Sequence, residues 1–75
     1  MARTAVTLEI DQPGESAEAI LEAIATAFEV SRETGRERFQ VSAEDVSLGA
    51  LRERIARTAT TADPEWDNYM HFDFS

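Results

Sequence analysis

From Thr4 to Ile10 apolar and polar residues alternate, with Val6, Leu8 and Ile10 on one side and Thr7 and Glu9 on the other. A period of two predicts a half-buried strand over TAVTLEI. Gln12-Pro13-Gly14-Glu15 follows as a tight turn, with proline at its second position and glycine free to take positive φ at its third. Ser16 stands where it can cap a helix. From Ala17 to about Glu33 the period lengthens, and Ala17, Ile20, Leu21, Ile24, Ala27 and Phe28 recur at helical spacing until Gly35 supplies a stop.

RFQVS returns to alternation and predicts a second strand that buries Phe39 and Val41. The next stretch reads two ways. Ala43-Glu44-Asp45 is a hairpin turn into a short Val46–Leu48 strand, or the second helix begins at Ser42. Leu48, Leu51, Ile55 and Ala59 then share one helical face up to about Thr60. Asp63-Pro64 breaks that helix, because a residue before proline avoids the α region. Asp63 caps one short turn through Glu65-Trp66-Asp67. Tyr69 to Phe74 alternates as a last strand, with Met70, Phe72 and Phe74 facing one way and Tyr69, His71 and Asp73 the other. The expected fold is α+β in the order β-α-β-α-β, with two helices packed on one face of a short three-stranded sheet, mixed or antiparallel.

Length changes the picture by limiting the core. Seventy-five residues predict one small domain, and a chain of that size buries only about 60–65% of its unfolded surface. A homodimer or a bound partner is a natural source of further stability. Cysteine is absent, which excludes disulfides and thiolate metal sites. Unstapled, and lacking both a long apolar run and a signal-peptide core in MARTAVTLEIDQ, the chain reads as cytoplasmic and not associated with a membrane.

Charge excludes more. The formal net charge is −8, whereas direct binding of nucleic acid relies on lysine and arginine to displace counterions. The acidity lies toward the two ends of the chain. Residues 1–34 carry two arginines against seven acids, residues 35–60 five against four, and residues 61–75 four acids and no base. The cluster Arg52, Arg54 and Arg57 has a plain helical explanation, since Glu53 and Arg57 are correctly spaced and ordered for an ion pair.

Candidate chemistry is sparse. Nucleophilic catalysis needs a base beside the nucleophile, and His71 is the only histidine, with Ser75 the nearest hydroxyl. The glycines are isolated, so no phosphate loop is formed. No ligand spacing around His71 specifies a metal. The chain is therefore expected to be non-enzymatic, with no cofactor and no metal.

Two acidic features remain. Glu15, Glu18, Glu22, Glu29 and Glu33 fall on the side of the first helix opposite Ile20, Ile24 and Phe28. Glu18 and Glu22 stand four apart with no basic residue four positions away, an arrangement that costs a helix a few tenths of a kcal/mol. In the tail, Asp63, Glu65, Asp67 and Asp73 bracket Trp66 and Tyr69, and Trp and Tyr are favoured interface anchors. A solvated, solubilising surface explains the acids alone. Carboxylates around aromatic anchors suit a protein with a basic surface, through ion pairs and cation–π contacts. The expected function is an inhibitor that occupies a partner's nucleic-acid-binding surface, as phage or mobile-element anti-CRISPR and anti-restriction proteins or antitoxins do. The alternative is a small assembly module that completes a homodimer or a larger complex.

Overall fold

A computed structural model describes residues 2–32 and 37–73. Its elements are β1 (Arg3–Ile10), α1 (Glu15–Ala27), β2 (Glu29–Arg32), β3 (Arg38–Glu44), α2 (Leu48–Ala62), a 3-10 turn (Trp66–Asn68) and β4 (Met70–Phe72). The sheet has four strands in the order β2-β3-β1-β4, and every neighbouring pair is antiparallel. With the chain order β-α-β-β-α-β this is the split-βαβ plan, in which each helix connection skips over one strand.

The fourth strand corrects the expectation of three, and its origin is physical. A helix continued through Glu33 would turn Val30 about 200° away from Phe28, out toward the acidic side. The helix instead ends at Ala27, and Phe28 is extended at φ −134°, ψ 168°. Period two then sets Phe28 and Val30 on the same side, both packed against the core, with Val30 opposite Val41. Glu29 consequently belongs to a strand and not to the acidic helix stripe. Glu33, Gly35 as a helix stop, and Phe74 lie outside the described residues.

Register fixes which side is core. Val6 faces Val41, Leu8 faces both Phe39 and Phe72, and Ile10 faces Met70. These side chains meet Ala17, Ile20, Leu21 and Ile24 of α1 and Leu51, Ile55 and Ala59 of α2. No charged or polar residue is buried among the described residues. The other sheet face carries no helix. It is formed by Arg3, Ala5, Thr7 and Glu9 with their partners Glu44, Ser42, Gln40 and Arg38.

The helix boundaries depart from expectation in two places. Gly14, at φ 155° in a region open mainly to glycine, is the N-cap of α1, and Ser16 lies inside the first turn without capping it. Neither reading of residues 43–48 holds. β3 runs on to Glu44, Asp45 takes a left-handed φ of 58°, and Ser47 caps α2 by accepting from the Ala50 amide at 3.2 Å. Leu48, the first residue of α2, is 43% exposed and leaves the core face to Leu51. Ser47→Ala should therefore lower stability by about 1 kcal/mol in a denaturant melt.

Candidate functional site

Strand direction decides where the charges collect. β1 ends, α1 begins, α2 ends and β4 begins at one end of the sheet. The turn entering α1 is stitched there to the chain leaving α2. The amides of Asp11 and Gln12 donate to the Tyr69 carbonyl at 2.7 and 3.1 Å, and Gln12 Nε2 donates to the Asn68 carbonyl at 2.9 Å. Asp63 ends α2 and its Oδ1 accepts from the Glu65 amide at 2.9 Å, which starts the 3-10 turn as its position before proline suggested.

This end holds Glu9, Asp11, Glu15, Glu18, Glu37, Asp63, Glu65, Asp67 and Asp73, against Arg32 and Arg38. Arg32 links Glu18 and Glu37, at 2.9 and 3.1 Å. Arg38 is bonded to Glu9 and stands 3.9 Å from Asp73. Elsewhere among the described residues Arg3, Arg52, Arg54 and Arg57 stand against Glu22, Glu29, Glu44, Asp45 and Glu53. Arg3 engages Glu29, Glu44 and Ser42, and Arg57 engages Glu53 at 3.0 Å. The negative charge is thus concentrated at one end of the fold.

The candidate residues divide accordingly. Glu15, Asp63, Glu65 and Asp67 come together at the acidic end, with Glu65 and Asp67 exposed beside the half-buried Trp66 and Tyr69. Glu18 and Glu22 follow along exposed α1. Glu29 is carried to the far end by β2, where it meets Arg3. Asp73 lies on the bare sheet face toward Arg38.

Trp66 and Tyr69 do not stand off the core, contrary to the expected alternation. Tyr69 takes αR geometry at the end of the 3-10 turn, so strand periodicity starts only at Met70. Both rings pack against the core, and Trp66 meets Phe72 edge to face at 5.9 Å. Trp66 Nε1 donates to Thr60 Oγ1 at 3.1 Å.

Sequence reasoning grouped His71 with Tyr69 and Asp73, and with Asp67 or Glu65, and missed its actual partners. His71 Nδ1 lies 2.8 Å from Asp11 Oδ2, and Nε2 lies 3.3 Å from Glu9 Oε2. Glu9 is directly opposite His71 on β4 and Arg38 on β3. The polar parity of all three residues was visible, but their adjacency depends on strand order. Asp11's hydrogen bond raises the His71 pKa above 6.5; desolvation opposes it, and the charges of Asp11, Glu9 and Asp73 add to the rise. In a proton-NMR titration the His71 midpoint should lie above 6.5, and Asp11→Asn should lower it.

The carboxylates of Asp11 and Glu9 beside the ring favour its charged form. Among the described residues, no group of three or more His, Cys, Asp or Glu side chains is arranged to hold a metal ion. A groove of about 320 Å³ lies between Glu9, Asp11, Glu37 and Arg38, and a broader one of about 530 Å³ lies by Arg3, Phe28, Glu29 and Glu44. No described helix is long and apolar enough to cross a membrane. Comparison with family models, curated proteins and solved structures gives no match for this chain.

Proposed function

We propose that this chain is a non-enzymatic binding protein that occupies a basic surface of a partner protein, one that otherwise holds nucleic acid. The observation that carries this reading is the gathering of carboxylates from α1, the turn before it, the 3-10 turn and the sheet at one end of the fold. Such a one-sided field steers a cationic partner and sets its orientation. Carboxylates there take the place of phosphates, and the exposed edges of Trp66 and Tyr69 add contact area. Phage and mobile-element inhibitors of nucleases, and antitoxins, form the functional class.

Free duplex or single-stranded nucleic acid should not bind at physiological salt, because Arg32 and Arg38 are already engaged by acids. Anisotropy showing micromolar affinity would contradict this. A partner captured from a host lysate should bind Glu15→Lys/Asp67→Lys about tenfold or more weakly at low salt, with the difference shrinking as salt rises. Duplex DNA should compete with the wild-type protein for that partner. Equal binding by the double variant, or simultaneous binding of DNA, overturns the proposal.

The bare sheet face favours a second reading, an assembly module. Ala5, Thr7, Gln40 and Ser42 form an uncharged strip between the ion-paired Arg3 and Arg38, which a second sheet could cover. Light scattering that gives a dimer at micromolar concentration supports this reading; a monomer removes it.

A further inference from the structure

We propose that His71 is a proton-operated latch: in its charged form it fastens β4 and the preceding 3-10 turn to β1, and in its neutral form it releases them. β4 has only three residues and pairs with β1 alone. Its backbone attachment is the short ladder Ile10–Met70, Glu9–His71 and Leu8–Phe72, continued by the Asp73 amide bonded to the Thr7 carbonyl at 2.8 Å and by the Tyr69 carbonyl receiving Asp11 and Gln12. The 3-10 turn lies between this strand and α2, with Trp66 against Phe72 of β4 on one side and Thr60 of α2 on the other, so a shift of β4 reaches Trp66, Asp67 and Tyr69.

Among the described residues, every charged group facing the ring takes part. Asp11 approaches from the turn after β1, Glu9 from β1 itself, and Asp73 from the end of β4. Arg38 on β3 is the fixed cation, shared by Glu9 and Asp73. A charged His71 ties the β1 side to β4 through Asp11 and Glu9. A neutral ring leaves three carboxylates around a short edge strand, with Arg38 the cation engaged by Glu9 and near Asp73 among the described residues.

The sign follows from linkage. The folded-state pKa is raised, so the stabilisation is complete below about pH 6.5 and is lost as pH rises through the raised value. The device therefore opens on the alkaline side. The acidic and aromatic surface is held in one shape at mildly acidic pH and is freed above neutrality.

Amide hydrogen exchange of the intact protein tests the latch, with rates corrected for the intrinsic effect of pH. Protection of the Asp73 and Asp11 amides should fall between about pH 6 and 8.5, tenfold for each pH unit by which the NMR midpoint of His71 exceeds 6.5. Amides of the β1–β3 pair should hold their protection. His71→Lys, a fixed cation on the same exposed position, should keep Asp73 protected across the range. His71→Gln should show low protection at every pH. A uniform fall across the sheet, no fall in the wild type, or an unchanged pH profile in His71→Gln would each overturn the latch.

Discussion

Phe39→Ala will remove a large share of the protein's stability at 25 °C. Phe39 is the largest of the fully buried side chains, set on the central strand β3 opposite Leu8 and beneath both helices. Truncating a buried phenylalanine costs about 3–5 kcal/mol in lost transfer energy and residual cavity. A domain of this length has only about 4–11 kcal/mol in total, at about 0.05–0.15 kcal/mol per residue. Little slack exists to refill the space, because the neighbours come from two strands already fixed by pairing. Denaturant melts should show a midpoint lowered by the equivalent of about 3–5 kcal/mol, with a shortened native baseline. Phe39→Leu, which keeps more of the volume, should melt cooperatively at a lower midpoint. A native-like melt from Phe39→Ala would mean the core lies elsewhere.

The second large effect belongs to Trp66. Its ring packs edge to face on Phe72 and its indole nitrogen donates to Thr60, so it joins the end of α2 to the edge strand. Being half-buried, it should lose roughly 2–3 kcal/mol on replacement by alanine, less than a fully enclosed tryptophan. Trp66→Phe separates the contributions, keeping the aromatic contact and removing the donor, at a cost near 1 kcal/mol. Urea melts of the two variants give both numbers. If Trp66→Ala melts within 0.5 kcal/mol of wild type, the ring acts only as a surface anchor.

That contrast shows where the sequence was legible. β1, the core face of α1 and the break at Asp63-Pro64 follow from periodicity and proline chemistry within a few residues. β2 was hidden because Phe28 satisfies the helical period and the strand period equally well. Only the partner strand, with Val41 opposite Val30, favours the extended form. The acidic end was half visible. Composition located the acids, but Glu29 went to the far end with its strand, while Glu9, Asp11 and Glu37 joined through pairings far apart in the chain. Trp66 and Tyr69 were misplaced because a single turn of 3-10 helix resets the phase of side chains before the strand begins.

The order β2-β3-β1-β4 leaves β2 and β4 as the edges of the sheet. Each offers a row of backbone donors and acceptors that a second chain can copy. At neutral pH the net charge of −8 keeps copies apart. That protection is colloidal and vanishes near the isoelectric point of about 4.4. The same carboxylates that would greet a cationic partner therefore act as the chain's guard against its own copies. Concentrated stocks will cloud on acidification toward that pH, with intermolecular β-structure in the infrared spectrum, and will clear again above it if the edges have not yet annealed.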